Sequence, residues 1–243
     1  MTPMTPTTDQ TVALITGANK GLGFEIARQL GKRGLVVVVG SRDQAKGEDA
    51  AAKLASQGIE AHAVKLDVSS KDDVAALPGW IEQKFGRLDV LVNNAGVAEW
   101  KADDVDSFRR TFEANVFGAV AVTYALLPLL KASPAGRIVN HSSVLGSLTS
   151  LSKQPEMFGN FVIPAYTASK AALNGFTVAL AHKTRGTALK VNSAHPGWVR
   201  TELGGQKAPM SVEDGARTAV LLATLPADGA TGRFFHMGEA LPW

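Results

Sequence analysis

Cysteine is absent from the 243-residue chain. This absence excludes disulfide bonds, thiolate metal sites and a cysteine nucleophile, and it fits a reducing compartment such as the cytoplasm. Histidine offers no replacement cluster of metal ligands, because the five histidines fall in different predicted elements. They are His62, His141, His182, His195 and His236. We therefore expect ordinary structural histidines and no metal site.

Long apolar runs and blocks of like charge are missing as well. No uninterrupted apolar stretch reaches the ~18 residues that a membrane helix needs. The opening MTPMTPTT has neither the basic nor the apolar region of a signal peptide. Lysine and arginine total 25 against 22 acidic residues, a net charge of +3, and they are scattered along the chain. We expect a soluble, cytoplasmic protein that binds neither membrane nor nucleic acid.

What the sequence does contain is an alternation of short apolar runs and longer amphipathic segments, with glycine at the junctions. The apolar runs predict strands at residues 12–15, 35–39, 61–66, 88–92, 137–142, 188–193 and 232–236. The amphipathic segments predict helices at residues 24–32, 44–57, 72–85, 107–130, 164–185 and 212–224. Pro128 is expected to disturb the end of the fourth helix.

Repeated strand–helix units whose strands are apolar throughout predict a parallel sheet with helices on both faces. The fold class is α/β: a single doubly wound Rossmann domain with a parallel sheet of about seven strands. No linker or shift in composition divides residues 11–243. We expect residues 1–10 to form a disordered tail.

The first predicted strand runs directly into TGANKGLG, residues 16–23, where a helix begins. Glycines allow a tight turn and a close approach of the backbone to a diphosphate, and a helix N-terminus presents unpaired N–H groups. The spacing G-x-x-x-G-x-G departs from G-x-G-x-x-G. Its place at the start of a strand–helix–strand unit nevertheless favours dinucleotide binding over an ordinary glycine-rich turn.

The end of the second predicted strand indicates which dinucleotide binds. An acidic residue there would suit the ribose 2′-hydroxyl of NAD, whereas a basic residue accommodates the 2′-phosphate of NADP. The chain has Ser41 and Arg42 at this point, without a carboxylate, and Lys20 in the glycine turn offers a second cation. Because a guanidinium suits bidentate phosphate contact, we predict NADP(H). The alternative is that Arg42 caps a strand and Lys20 is solvated.

Tyr166 and Lys170 are four residues apart in a predicted helix, and therefore lie on one face, one turn from each other. A cation within roughly 4–6 Å stabilises a phenolate and lowers the phenol pKa from its ordinary value near ~10. This would bring the tyrosine into the range of acid–base catalysis. The Y-x-x-x-K spacing alone is also common on ordinary helix faces.

These motifs occur in a characteristic order: residues 16–23, Asn93-Asn94-Ala95-Gly96, Asn115, Ser143, and Tyr166 with Lys170. In this order they resemble the classical short-chain dehydrogenases/reductases, from about residue 11 to the last residue. Four shorter segments look like the carbonyl-reductase branch of that family. They are TGANKG at 16–21, SRD at 41–43, PGWV at 196–199 and GRFF at 232–235.

The resemblance implies a set of cofactor-binding residues. These are Gly17, Asn19, Lys20, Gly21, Leu22, Gly23, Ser41, Arg42, Asp67, Val68, Asn94, Ala95, Gly96, Tyr166, Lys170, Pro196, Gly197, Val199 and Thr201. Asp67 would accept from the adenine amino group, Val199 would meet the nicotinamide carboxamide and Thr201 the phosphates. Alternatively, Asp67 caps the next helix and the two asparagines at 93 and 94 only form a turn.

The resemblance also implies four catalytic residues: Asn115, Ser143, Tyr166 and Lys170. NADPH would deliver hydride to a carbonyl carbon while Tyr166 donates the proton, with Ser143 orienting the oxygen. Lys170 would lower the tyrosine pKa and contact the nicotinamide ribose. Asn115 would mark a helix irregularity that holds a water between Lys170 and solvent, unless it is a satisfied buried amide. Ser142 competes with Ser143, but the family spacing to the following glycine favours Ser143.

The segment between Ser143 and Tyr166 is longer than is usual in the family. The extra residues, 147–163, include Met157, Phe158, Phe161 and Ile163. We expect a substrate-facing lid or wall that suits an apolar or aromatic ketone, although these side chains would otherwise only pack the segment down. Self-association is left open.

The predicted activity is NADPH-dependent reduction of a ketone or aldehyde to an alcohol, reversible as a secondary-alcohol dehydrogenase. A reductase of a 3-oxoacyl or sterol-type ketone is one alternative. A non-catalytic NADP(H)-binding sensor is another, and such a protein typically lacks the tyrosine or the lysine that this chain retains.

Overall fold

The computed structural model describes residues 10–99, 104–153, 156 and 162–243. Its strands are β1 (Val12–Thr16), β2 (Val36–Ser41), β3 (Ala61–Lys65), β4 (Val90–Asn93), β5 (Arg137–His141), β6 (Lys190–Ala194), β7 (Phe234–His236) and β8 (Glu239–Leu241). Its α-helices are α1 (Gly21–Gly31), α2 (Gln44–Ala55), α3 (Lys71–Phe85), α4 (Val105–Phe112), α5 (Ala119–Ala132), α6 (Leu148–Lys153), α7 (Pro164–Lys183) and α8 (Val212–Ala223). A π-helical turn (Glu113–Gly118) joins α4 to α5, and a 3₁₀ turn (Val144–Gly146) follows β5.

The strands form one sheet in the order β3-β2-β1-β4-β5-β6-β7-β8. Neighbours are parallel as far as β7, and β8 then returns antiparallel along β7. The order reverses between β1 and β4, and in such sheets ligands bind outside the carboxyl ends of the strands at this point. The predicted α/β doubly wound fold is confirmed.

The strand count of about seven omitted β8. This strand has only three residues, two of them exposed, so it carries no apolar run by which to recognise it. The turn that produces it has positive φ at Met237 (50°) and Gly238 (90°).

Alternating strand side chains build one apolar core on each face of the sheet. Ala13 and Ile15 pack on one side with residues of α1, α2 and α8. Val12 and Leu14 point to the other side, where α3, α5 and α7 contribute. Fully burying an aliphatic side chain contributes about 1.5–3 kcal/mol, so these two layers hold the strand ends rigidly in register.

Most helix ends lie within two residues of their predicted positions, and three other differences stand out. α1 begins at Gly21 rather than at residue 24, because the glycine turn itself supplies the first helical residues. The predicted helix at 107–130 is interrupted by the π turn. Pro128 lies inside α5, which continues to Ala132. This proline is on the exposed side of the helix, so the carbonyl that it leaves without a donor faces water.

The helical stretch Val105–Ala132 is long and apolar enough to cross a membrane by length and composition. Core helices pass the same test, and this one buries Val122, Leu126 and Leu130 against the sheet. The predicted division into a tail (1–10), a domain (11–243) and an insert (147–163) stays a prediction, and residues 1–9 lie outside the described part.

Candidate active site

The glycine turn between β1 and α1 has the geometry of a phosphate-binding loop. Gly17 and Gly21 have φ values of 64° and 55°, which side chains rarely adopt. A Cβ on Gly23 would lie 2.5 Å from both Asn94 Nδ2 and Gly17 O, so only glycine fits there. The N-cap residue of α1, Lys20, makes no side-chain cap, which leaves the first N–H groups of the helix for a ligand.

A groove lies beside this turn. A Cβ added to Gly21 would meet a single atom within 4 Å, Thr201 Cγ2 at 3.9 Å. The bare glycine backbone therefore faces open space opposite Thr201. Across the groove, Lys20 Nζ forms an ion pair with Glu202, so the lysine is not simply solvated.

Thr16 and Asn94 hold the glycine turn against the end of β4. Thr16 Oγ1 accepts from Asn94 N (3.0 Å) and Ala95 N (2.9 Å). Asn94 Nδ2 donates to Thr16 O (2.9 Å) and Gly17 O (3.2 Å), and Asn94 Oδ1 accepts from His141 Nδ1 (3.0 Å). Asn94 is therefore more than a turn former. Neither Thr16 nor His141 was predicted to support the site.

The ends of β2 and β3 provide the adenosine side. Ser41 is buried and donates to Asp43 O (2.8 Å), whereas Arg42 is exposed. Asp67 accepts from Ser69 N (3.0 Å). The cap of the following helix is Ser70, which accepts from Asp73 N (3.2 Å), so the capping alternative for Asp67 is wrong.

Asn115 lies in the π turn, which is the irregularity expected in this helix. Its Nδ2 donates to Val97 O (2.9 Å) and Ser169 Oγ (3.0 Å), and its Oδ1 accepts from Val97 N (2.8 Å). A Cβ on Gly96 would come within 3.1 Å of Asn115 Oδ1 and 3.7 Å of Lys170 Nζ. Gly96, Asn115 and Lys170 are thus brought together, and the glycine leaves room beside the lysine.

Ser143, Tyr166 and Lys170 converge beyond the end of β5. The Ser143 hydroxyl hydrogen-bonds to the Tyr166 hydroxyl. Lys170 Nζ lies 5.4 Å from the centroid of the Tyr166 ring and donates to His141 O at 2.7 Å. Ser142 instead points to α7, where its Oγ contacts Lys170 O at 3.4 Å. The structure therefore favours Ser143 over Ser142 as the partner of Tyr166.

Burial dominates the titration of both residues of the pair. It raises the pKa of Tyr166 to about 12, and the hydrogen bond from Ser143 opposes this rise more weakly. It lowers the pKa of Lys170 to about 8. The lowered tyrosine pKa expected from the sequence is therefore not found for the protein alone, because burial raises the pKa more than the hydrogen bond from Ser143 lowers it. At neutral pH the phenol keeps its proton.

The loop after β6 closes the site on the far side. Gly197 has φ 88°, and a Cβ there would lie 2.5 Å from Met210 Sδ. Val199 is buried, and a Cβ on Gly215 would lie 2.5 Å from its Cγ2, so α8 fixes its position. Pro196 and Thr201 flank these residues at the same edge of the sheet.

Seven residues of the predicted insert (154, 155 and 157–161), including Met157, Phe158 and Phe161, lie outside the described part of the chain, and the lid stays a prediction. Ile163 is described and buried immediately before α7. In the described residues no group of three acidic or histidine side chains could hold a metal ion.

Comparison with known proteins places this geometry in a family. The family model described as short chain dehydrogenase matches residues 11–211. Carbonyl reductase [NADPH] 1 of Mus musculus is 36% identical over 96% of this chain and 98% of its own length. (-)-Isopiperitenone reductase of Mentha piperita is 32% identical over 96% and 98%. The crystal structure of NADPH-bound carbonyl reductase from chicken fatty liver is 25% identical, with a TM-score of 0.84 over 96% of this chain and 99% of that one.

The chain belongs to the short-chain dehydrogenase family, and it is an oxidoreductase. The resemblance read from the motifs is confirmed, including its carbonyl-reductase-like branch.

A substitution at Gly146 tests how closely the loop that begins with Ser143 packs against α7. A Cβ there would lie 2.6 Å from Lys170 C and 2.9 Å from Ala171 N, both backbone atoms. We expect Gly146→Ala to lower the free energy of unfolding by about 1–3 kcal/mol, because loop and helix must separate. Thermal unfolding followed by circular dichroism measures the effect.

The control is Gly175→Ala on the same helix, at an exposed position where a Cβ meets nothing within 4 Å. It should stabilise the protein by about 0.5–1 kcal/mol through helix propensity. Equal stabilities of the two variants would contradict the described packing.

Proposed function

We propose that the protein reduces a ketone or aldehyde to an alcohol with NADPH, reversibly, with Tyr166 as the proton donor. The observation that carries the proposal is the hydrogen-bonded Ser143–Tyr166 pair beside the buried Lys170, at the sheet edge where the glycine turn also ends. The proposed proton donor, orienting hydroxyl and dinucleotide turn would thus lie along one edge of the sheet.

NADP(H) is the cofactor, as the sequence predicts and as the names of two relatives specify for those proteins. In this chain the exposed guanidinium of Arg42 at the end of β2 would bind the 2′-phosphate. Lys20 would be the second cation once it leaves Glu202. Asp67, whose Oδ1 accepts from Ser69 N, would accept from the adenine amino group through its other carboxylate oxygen.

The bare backbone of the glycine turn and the N-terminus of α1 would hold the diphosphate. The other residues that the family resemblance implies for cofactor binding would hold the rest of the dinucleotide between this turn and Lys170. NADPH, when bound, supplies the hydride for the carbonyl carbon. The protein supplies position, exclusion of water and the proton.

The substrate carbonyl oxygen would accept from the hydroxyls of Ser143 and Tyr166. As negative charge develops on this oxygen, both donors stabilise it, the Ser143 hydroxyl turning from the Tyr166 oxygen to the substrate. The phenol proton then moves to the alkoxide, which is a much stronger base than phenolate, so a tyrosine pKa of about 12 does not oppose the transfer.

Lys170 would stabilise the phenolate left behind and donate to the nicotinamide ribose. With a pKa of about 8 its ammonium is mostly protonated at neutral pH. The Nζ of this lysine donates to the His141 carbonyl and faces the Tyr166 ring. Asn115 would hold a water through which Lys170 exchanges protons with solvent.

We infer an apolar or aromatic small-molecule carbonyl as the substrate, because the sequence of residues 147–163, which shortly precedes the tyrosine, is rich in apolar side chains. The lid, the absence of membrane and nucleic-acid partners, and the cytoplasmic location stay predictions. One assay distinguishes the alternatives, namely NADPH turnover with a panel of aliphatic, aryl and cyclic ketones. A reductase of a 3-oxoacyl or sterol-type ketone would prefer a different ketone, and a non-catalytic sensor would turn over none.

Tyr166→Phe is the direct test of the proton donor. We expect kcat to fall by at least about 10²–10⁴-fold, because the general acid is removed, while NADPH still binds. NADPH oxidation with a ketone and NADPH binding by fluorescence are the measurements. Tyr124→Phe is the matched control, since Tyr124 is the other tyrosine of the chain and is exposed. Near-normal turnover by Tyr166→Phe would contradict the mechanism.

Arg42→Ala tests the choice of cofactor. Losing charged hydrogen bonds to a phosphate costs about 1.5–3 kcal/mol, so kcat/KM for NADPH should fall about 10–100-fold while that for NADH changes little. Arg185→Ala, at an exposed arginine after α7, should leave both values unchanged. An unaltered NADPH/NADH ratio in Arg42→Ala would remove Arg42 from the phosphate site.

A further inference from the structure

His195 lies between the two loops that enclose the candidate site. It directly follows β6, and its backbone is fixed by β7: its N–H donates to Phe235 O at 2.8 Å and its carbonyl accepts from His236 Nδ1 at 3.0 Å. One neighbouring loop begins with Ser143 and the other with Pro196. The sequence predicted only an ordinary structural histidine here.

The imidazole of His195 accepts from both loops through one nitrogen. Val144 N and Gly197 N each lie 3.3 Å from His195 Nδ1. A backbone N–H can only donate, so Nδ1 must be unprotonated and the ring proton resides on Nε2. Because an imidazole nitrogen has one lone pair, the two N–H groups share it, which accounts for two equally long hydrogen bonds.

Each of these amides sits next to a residue of the proposed reaction. Val144 follows Ser143, whose hydroxyl bonds to Tyr166. Gly197 lies two residues before Val199, which is expected at the nicotinamide. The shared nitrogen therefore links the loop of Ser143, beside the proposed proton donor, to the loop of Val199, where the nicotinamide is expected.

The ring is held in place and uncharged. It packs against His236, with ring centroids 4.8 Å apart, and against Phe234 at 6.5 Å. Burial, with a smaller contribution from the neighbouring His236, lowers the pKa of His195 to about 3. Nδ1 thus remains an acceptor across the pH range in which a carbonyl reductase would work.

We propose that His195 is a positioning residue that sets the spacing between the Ser143 loop and the nicotinamide loop through its Nδ1 acceptor. The proposal rests on the proposed function for its kinetic consequence. Its structural part is that one acceptor is shared by two backbone amides, and this part can be tested without measuring activity.

The test replaces His195 by three residues. Asparagine places Oδ1 near the position of Nδ1 and can accept from both amides. Glutamine puts its acceptor one bond further out, and leucine has none. We expect His195→Leu and His195→Gln to lower kcat for ketone reduction about 10–100-fold, because a small misplacement of reacting groups is costly. His195→Asn should stay within about threefold of the unaltered protein.

Two further readouts separate positioning from general damage. KM for NADPH should change by less than about threefold in all variants, since the glycine turn is untouched. The isotope effect with deuterated NADPH should rise in His195→Leu, because hydride transfer becomes more rate-limiting. His182→Leu, at an exposed histidine on α7, is the control for histidine removal and should show no change.

Hydrogen exchange measured by mass spectrometry tests the contact without turnover. The amides of Val144 and Gly197 should exchange faster in His195→Leu and His195→Gln and remain protected in His195→Asn. Unchanged exchange in His195→Leu, or equal loss of kcat in the asparagine and leucine variants, would overturn the proposal. A protein that reduces no carbonyl would refute the proposed function, while the exchange data would still decide the role of His195.

Discussion

The site depends on one buried charge, the ammonium of Lys170. Removing a charge from water costs several kcal/mol unless hydrogen bonds compensate. The His141 carbonyl at 2.7 Å and the face of the Tyr166 ring at 5.4 Å provide partners. Burial still lowers the lysine pKa to about 8. To hold this group, α7 must lie close against the end of β5, and both Gly96 and Gly146 must lack side chains.

The same contact belongs to a longer chain of hydrogen bonds. Thr16 accepts from the amides after β4, Asn94 reaches back to the glycine turn, and His141 donates to Asn94 while its carbonyl accepts from Lys170. The turn that would hold the diphosphate is thereby connected through hydrogen bonds to the lysine beside Tyr166. Because the glycine turn and the lysine both lie at the carboxyl edge of one rigid sheet, the relative position of a bound cofactor and the phenol would be fixed.

The sequence alone was sufficient to predict those features that repeat along the chain or form recognisable motifs. Apolar runs located the first seven strands, and the ordered motifs identified the family. The β8 strand was not predicted, because it follows a tight turn at Met237 and Gly238 and shows no periodic pattern of apolar residues. The roles of Thr16, His141 and His195 were not predicted, because each is a single polar residue that forms hydrogen bonds with residues distant in sequence. The tyrosine pKa was misjudged because spacing reveals a nearby cation but not the burial that outweighs it.

A titration of the Tyr166 phenol tests the central claim most directly, since Tyr124→Phe leaves one tyrosine in the chain. Burial stabilises the protonated form, so the protein alone should show no phenolate absorbance at pH ~10, where a free phenol is half ionised. Saturation with NADP⁺ should shift the phenolate signal to lower pH, because the oxidised nicotinamide brings a positive charge beside the hydroxyl. A phenol that titrates near its ordinary value, with or without NADP⁺, would contradict the account.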